Sequence, residues 1–506
     1  MAYTLAFDFG TGGVRAGVYD LTRKQMVATA ESACETQFPR AGWAEQNPND
    51  WLKSMLDAGR GALQLAQIRQ VEGVCVSSTA STVVTCKADG TPLGPALLWM
   101  DCRAETESRE TNTIDHPVMR FCGGGDAVEW LVPKAMWIKR NNPELWDKAD
   151  IICEAIDYIN HALTGEWAGS LMNASCKWNY DSQADEFVPE IYERLGIASL
   201  IEKLPQRIVP VGGVVAPMLP EMSAALGLEN QPLIAQGGID AHIGMLGANV
   251  VAPGGMLFIG GTSVVQLTQL ASEQDVTGFW GPYPNALTDG RWLVECGQVS
   301  SGSILSWLSN EIFGLDNAGH QALIREVCNR QAGAHGLLAL DYWMGNRTPY
   351  RDGALRGVIA GLTLGHDRAD IYSACVDAVA LGSANVLAVL DERNVSIDRI
   401  VLAGGILKNQ AWLNASIDAM NREVELVDGE NLSLVGGAVS AATAIGAYSS
   451  LEEAAKACAV ETTKVSPNAE RAAYFAKSLG LYQETTMQMK PLLHHLASAQ
   501  NNRVVQ

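Results

Sequence analysis

Two glycine turns of one design, set about half the chain apart, constrain this sequence more than any other feature. The first lies in Leu5-Ala6-Phe7-Asp8-Phe9-Gly10-Thr11-Gly12-Gly13-Val14-Arg15-Ala16-Gly17-Val18. The second lies in Met256-Leu257-Phe258-Ile259-Gly260-Gly261-Thr262-Ser263-Val264-Val265-Gln266-Leu267. Each joins an apolar strand-type run, a tight Gly-Thr turn and a returning run, which is the pattern of a hairpin. Glycine tolerates positive φ and lets backbone lie against a ligand, while its N–H groups and the Thr hydroxyl can grip phosphate oxygens. One such turn is equally well a plain hairpin. Two of them, one opening each half, imply that both halves hold one polyphosphate between them.

At 506 residues the chain exceeds a single core. The stretch Ala248–Gly255, with Pro253-Gly254-Gly255, marks the boundary, giving domains 1–250 and 251–506. Hydrophobic residues at 47% and charged residues at 18% fit an ordinary globular protein. The sequence has no uninterrupted apolar run of about 18 residues, so no membrane span is expected. The segment Met1-Ala2-Tyr3-Thr4 runs straight into the first strand, with no room for a signal core. Eleven cysteines at scattered spacings, none in a Cys-x-x-Cys pair, argue for reduced thiols in a cytoplasm. A net charge of −20 opposes nucleic-acid and anionic-membrane binding. It favours a neutral substrate, with any nucleotide arriving neutralised by Mg²⁺.

Strand-type runs occur at Leu5–Phe9, Val14–Tyr19 and Gly73–Ser77, with a helical stretch at Trp51–Ile68. A helix through Lys134–Arg140 stops at Asn141-Asn142-Pro143. Leu233–Gly247 reads as strand, Gly-Gly-Ile-Asp turn and apolar helix. Beyond the second hairpin come strand Trp292–Glu295, helix Ser303–Phe313, helices Ile371–Asp391 and Ala411–Met420 around strand Arg399–Leu402, and a helical tail from Glu470 to Ala499. Alternating strands and helices with a hairpin opening each half fit an α/β protein of two domains around mixed sheets. Outside the glycine turns there is no residue-level repeat.

Gln236-Gly237-Gly238-Ile239-Asp240-Ala241-His242 is the sharpest single site. It sets a carboxylate on a glycine turn before an apolar helix, near the domain boundary and hence at a cleft. Phosphoryl transfer to an alcohol needs such a group to accept the hydroxyl proton; equally, Asp240 could merely cap its helix. His242 is expected to be structural. Asp8, beside the first turn, can orient the waters of a phosphate-bound Mg²⁺, and Arg15 either faces the phosphates or the solvent. Gly404-Gly405, after strand-type Val401-Leu402-Ala403, lets a ring or ribose approach the backbone. Trp99, Lys177 and Glu295 supply the aromatic face and charged hydrogen-bonding groups that a polyol site requires.

Taken together the motifs resemble those of the FGGY carbohydrate kinases over nearly the whole chain. They are Phe7-Asp8-Phe9-Gly10-Thr11, Trp43-Ala44-Glu45-Gln46-Asn47-Pro48 with Trp51, Trp99-Met100-Asp101-Cys102-Arg103-Ala104, Pro133-Lys134 with Trp137, and Gly237-Gly238-Ile239-Asp240-Ala241. The second half adds Gly260-Gly261-Thr262-Ser263, Gly357-Val358-Ile359-Ala360-Gly361-Leu362, Asp370-Ile371 with Ala374-Cys375-Val376-Asp377, and Ala403-Gly404-Gly405. The resemblance implies two actin-like, ribonuclease H-like ATPase domains of the actin/hexokinase/heat-shock-70 fold around an interdomain cleft. It puts the general base on Asp240 and the ketose on Ala80, Trp99, Lys177, Asp240 and Glu295. It puts ATP on Gly10, Thr11, Gly12, Arg15, Gly261, Thr262, Gly302, Gly404, Gly405 and Asn409, and Mg²⁺ on Asp8.

Asp341-Tyr342-Trp343-Met344-Gly345-Asn346-Arg347-Thr348-Pro349 and Ile239-Asp240-Ala241-His242 are similar to ribulose kinase segments. Gly12-Gly13 departs from the family's Ser-rich turn, and the Trp99–Arg103 stretch departs from bacterial L-ribulokinases towards a broader D-ribulokinase-like branch. The resemblance therefore implies phosphorylation of a terminal hydroxyl of a pentulose such as ribulose, with xylulose, another pentulose or a polyol as the rival substrate. Rival classes are a sugar-independent conformational ATPase and a silent sugar sensor. A homodimer is what the resemblance implies for assembly.

Overall fold

The structure, a computed structural model, describes residues 2–333 and 336–504; Met1 of the segment read above lies outside them. Strands β1 (Tyr3–Gly10), β2 (Gly13–Asp20), β3 (Gln25–Ala33), β4 (Gly73–Ser78), β5 (Val214–Pro217) and β6 (Leu233–Ala235) form one sheet in the order β5-β6-β4-β1-β2-β3. Strands β7 (Gly255–Gly260), β8 (Val264–Leu270), β9 (Trp280–Pro284), β10 (Trp292–Gln298), β11 (Arg399–Gly404), β12 (Val424–Leu426) and β13 (Thr463–Val465) form the other, in the order β9-β10-β8-β7-β11-β12-β13.

The two sheets repeat one plan. In each, the first hairpin strand is central and antiparallel to its partner (β1–β2, β7–β8). On its other side it runs parallel to a strand reached by a long crossover (β1–β4, β7–β11), which pairs in parallel with the next (β4–β6, β11–β12). An antiparallel edge strand closes that side (β5 or β13). The duplication that left no trace in residue identities outside the glycine turns is therefore present in topology. Parallel strands need cover on both faces, and Leu5, Ala6, Phe7, Met256, Leu257 and Phe258 are fully buried accordingly.

Helix α1 (Pro48–Ala66) follows Asn47, whose side chain accepts from the Asn49 N–H, with Pro48 preset at the first turn. It ends at Gln67, whose φ of 58° breaks the helix. Its face of Trp51, Met55, Ala58 and Ala62 is buried against the first sheet. Helix α2 (Leu131–Asn141) stops before Pro143, as read from sequence, and Pro143 then opens a further short helix. The remaining helices used below are α3 (Leu171–Lys177), α4 (Asp240–Gly247), α5 (Gly302–Trp307), α6 (Arg368–Glu392), α7 (Gln410–Met420), α8 (Leu432–Ala444) and α9 (Ala469–Val504). The helix expected over Ser303–Phe313 divides: α5 gives way to a wider π-type turn at Leu308–Ile312. Helix α6 is long and apolar enough to cross a membrane, but 83% of its most apolar window is buried in the protein, as befits a core helix.

Helix α8, which the sequence reading passed over, belongs to the second half of the chain yet packs on the first sheet and on α4. A Cβ on Gly436 would stand 2.0 Å from the Ile243 carbonyl oxygen, and one on Gly247 would stand 2.4 Å from that of Leu432. Gly437 lies against Ala6 of β1, where a Cβ would be 3.0 Å from that side chain. The two helix backbones are in direct contact, and glycine is required there for lack of room. Gly436→Ala should therefore lower stability by about 1–3 kcal/mol through overpacking, read from urea denaturation; an unchanged midpoint would mean that α4 and α8 are not so closely packed.

Candidate active site

The first hairpin turns on Thr11-Gly12, because Gly10 pairs with Gly13. Gln46 fastens the turn: its Nε2 donates to the Thr11 carbonyl at 2.8 Å, and its Oε1 accepts from the Trp51 indole N–H at 2.8 Å. Gly12 is exposed, with open space around it. At the base of the turn Asp8 is 4% exposed. Its Oδ2 accepts from Arg15 at 3.1 Å and from Asn431 Nδ2 at 3.1 Å, while its Oδ1 has no partner in the protein. An orphaned buried carboxylate oxygen is costly unless water or a hydrated cation meets it.

The second hairpin pairs Gly260 with Val264, leaving Gly261-Thr262-Ser263 as its turn. Two other segments close on it. A Cβ on Gly302, the first residue of α5, would lie 2.4 Å from the Gly261 carbonyl oxygen, and one on Gly404 would lie 2.6 Å from that of Gly260. Gly404 also has φ 94°, a conformation that glycine alone adopts readily. Beside this junction opens a pocket of about 740 Å³, lined by Gly261, Thr262, Gly302, Gly405 and Asn409 among others. Its size suits a nucleotide. Asn409 serves as its wall, with its side chain capping α7 through the Trp412 N–H and donating to the Tyr372 hydroxyl. The buried Trp412 Nε1 and Ser303 Oγ in the same lining have no partner in the protein. Gly404 is not among its lining residues, and neither are Gly10, Thr11, Gly12 and Arg15 of the first hairpin.

A smaller cavity of about 220 Å³ lies between the halves, too small for a nucleotide, and Ala80, Trp99, Lys177, Asp240 and Glu295 all line it. Two interlocked motifs place Trp99. Asp101 accepts from the Ala44 N–H at 2.7 Å, and Arg103 bonds both Asp101 and Glu45 while its guanidinium lies 3.7 Å over the Trp43 ring. The Trp99 indole N–H then donates to Thr11 Oγ1 at 2.9 Å. Thr11, expected against the nucleotide, thus lends its hydroxyl to a tryptophan of the cavity wall, where hairpin and cavity meet. Lys134 on α2 secures the same wall from behind: fully buried, it donates to the carbonyls of Ser81 at 2.7 Å and Leu98 at 2.6 Å, the neighbours of Ala80 and Trp99.

Lys177, at the end of α3, meets Glu295 of β10 across the halves at 3.1 Å. Its ammonium lies 4.6 Å over Trp130 and 5.3 Å over Trp280. Burial alone would raise the Glu295 pKa, but the Lys177 ammonium holds it well below the usual carboxylate range. Two further charged residues line the cavity that sequence reasoning did not assign. Arg347, quoted above only as part of a motif, donates to Glu129 at 3.0 Å and stacks 4.7 Å over Trp280. Glu129 carries no local signal at all.

Asp240 is the first residue of α4, after Ile239 as N-cap, so it does not occupy the capping position. Its Oδ1 accepts from the adjacent Ala241 N–H at 2.7 Å, and Ser433 of α8 donates to its carbonyl at 3.0 Å. Burial first, and then the Asp8 carboxylate, push its pKa up to about 7. His242, one of the cavity walls, is 2% exposed.

The geometry defines a two-lobed α/β protein: a nucleotide-sized pocket on one lobe, a small polar cavity between the lobes, and an acidic pair where they meet. The chain matches the N-terminal domain of the FGGY family of carbohydrate kinases over residues 3–247 and the C-terminal domain over residues 256–445. It belongs to that family, and is an ATP-dependent sugar kinase. It is 29% identical over 489 residues to a ribulokinase of Shouchella clausii, covering 88% of this chain and 86% of the relative. It is 25% identical over 506 residues to a xylulose kinase of Bacillus subtilis, covering 99% and 100%. The crystal structure of xylulose kinase from Rhodospirillum rubrum superposes with a TM-score of 0.85 at 24% identity, over 97% of this chain and 100% of that one.

Lys134→Met leaves the buried Ser81 carbonyl without a donor, while that of Leu98 keeps the Asp101 N–H, so it should destabilise the protein by about 1–3 kcal/mol. Burial pushes the Lys134 pKa down to about 8 from 10.5, which means the folded state holds fewer protons than the unfolded one between those values. Stability should consequently rise with pH across that window in the parent relative to the variant. Denaturant titrations at pH 7.5 and 10 check both; a difference between the two proteins that is independent of pH would sink the second expectation.

Proposed function

We propose that this kinase phosphorylates a terminal hydroxyl of a small ketose, a pentulose and foremost ribulose, with Asp240 as general base. The observation that carries the reading is the place of Asp240: half-buried, beside Asp8, on the wall of a small polar cavity that all five expected sugar residues line. The triphosphate lies between the two hairpins with its nucleoside in the larger pocket. The sugar oxygen forms its bond to the γ-phosphorus as the bond from that phosphorus to the β-bridging oxygen breaks and ADP leaves; the hydroxyl proton passes to the Asp240 carboxylate.

Asp8 fits a Mg²⁺ ion held through water and phosphate oxygens, for its buried Oδ1 lacks a partner, and the described residues include no cluster of three or more His, Cys, Asp or Glu able to hold a metal. Bound there, the ion would neutralise phosphate charge. Arg15 and Asn431 hold the other oxygen of Asp8 and so fix the direction in which Oδ1 points.

Cavity chemistry supports a neutral polyol. Lys177 and Arg347 are each paired with a carboxylate, so neither is an unmatched cation for an anionic sugar. Similarity to both a ribulokinase and a xylulose kinase supports a pentulose while leaving xylulose as the second reading. ADP release measured across ribulose, xylulose and polyols decides between them; the highest kcat/KM on xylulose or on a polyol would displace ribulose.

Asp240→Asn should lower kcat by about 10²–10⁴-fold, the contribution of a positioned base, with MgATP affinity retained. Near-parental turnover would remove Asp240 from the role. Because the base must be ionised and its pKa lies near 7, kcat/KM for the sugar should climb as pH rises through neutrality. In Asp8→Asn the residual activity should keep that limb but at lower pH, since the Asp8 carboxylate, which after burial does most to raise the pKa, is gone. A limb centred near pH 4 in the parent enzyme would contradict the assignment.

A further inference from the structure

Within the sugar cavity one side chain has hydrogen-bonding capacity that the protein does not use. His242 is 2% exposed, and neither Nδ1 nor Nε2 has a hydrogen-bond partner. The nearest charged atom, Glu295 Oε2, is 3.5 Å from Nε2, and that oxygen already receives the Lys177 ammonium at 3.1 Å. A buried imidazole with both nitrogens unpartnered is unfavourable unless something entering the cavity completes it. The ring is part of the cavity wall, beside Lys177, Glu295, Trp130 and Asp240.

The charged groups beside the ring each have one sense. Lys177 can only donate, and an ionised Glu295 can only accept. Burial lowers the His242 pKa, with Glu295 opposing, so the ring is held towards its neutral form. Neutral imidazole has one donor and one acceptor, the same pair that a sugar hydroxyl presents. His242 follows Asp240 by two positions on α4, about 200° round a helix, so the two side chains address different atoms of whatever occupies the cavity.

We infer that His242 is a specificity-determining contact to a non-reacting hydroxyl of the ketose. The inference rests on the kinase reading above. It assigns to the imidazole the discrimination between sugars that carry this hydroxyl and those that lack it. Such discrimination is large where a buried polar group would otherwise be left unpaired.

The test is a steady-state comparison of ribulose with its 1-deoxy, 3-deoxy and 4-deoxy analogues, in the parent enzyme, His242→Ala and His242→Gln. The parent should lose about tenfold or more in kcat/KM on one analogue. His242→Ala should show a raised KM for ribulose, an unchanged KM for ATP, and little or no penalty for that analogue relative to ribulose. His242→Gln, which keeps a donor and an acceptor, should restore part of the penalty. A general weakening of the fold would lower all four sugars alike. An unchanged pattern of analogue penalties in His242→Ala would overturn the inference, as would failure of both variants to fold, which would make the ring structural. A parent enzyme that turns over no sugar at all would instead sink the kinase reading itself.

Discussion

The contact between helices α4 and α8 is the constraint on which the site depends. Glycine at 436 and 247 lets the two backbones touch, and this brings a segment from the far end of the chain against the first sheet. Once there, the start of α8 reaches both acidic residues, one by its side chain and one by its backbone: Asn431 donates to the Asp8 carboxylate, and Ser433 donates to the carbonyl of Asp240. Asn431 also caps α8 by accepting from the Leu434 N–H at 3.1 Å. One residue therefore ends a helix, orients a carboxylate and joins the two lobes. A helix displaced by a single side chain would lose all three.

The electrostatics of the cavity follow from where its charges sit. Two opposite pairs, Lys177 with Glu295 and Arg347 with Glu129, are taken out of water, and the cost of doing so is offset only by close partners. The aromatic faces of Trp130 and Trp280 around Lys177 add to that compensation. Asp240 has no cation of its own in such contact, and burial together with Asp8 acts on it in the opposite direction from Glu295. Two carboxylates on one wall are thus driven apart in basicity by their neighbours, the arrangement expected where one must move a proton and the other must hold still.

Much of the fold was legible because its signals are local. The hairpins declared themselves through strand-type runs around glycine turns, α1 through the helical stretch from Trp51, and Asp240 through a glycine turn before an apolar helix. Helix α8 was not legible, since it is buried nearly all round from Leu432 to Ala442 and so lacks the amphipathic period on which such readings rest. Asn431 carried a helix-start signal, but its reach to Asp8 spans most of the chain. Glu129 and Arg347 matter through each other, across the lobes, and nothing near either residue says so. The small sheet that carries the Ala80 and Trp99 loops was missed because two of its strands, Glu45–Gln46 and Ala96–Leu97, are only two residues long.

The Lys177–Glu295 pair has a meaning for how such a protein could be altered. One member comes from each lobe, so neither lobe completes the wall of the small cavity alone. A chimera built by exchanging one lobe with a relative could bring a buried ammonium to a position without its carboxylate, at a penalty of about 3–5 kcal/mol. Changes of sugar preference in this architecture are then expected to travel as matched substitutions on both sides of the cleft, a form of inheritance that comparison of either lobe alone would not reveal.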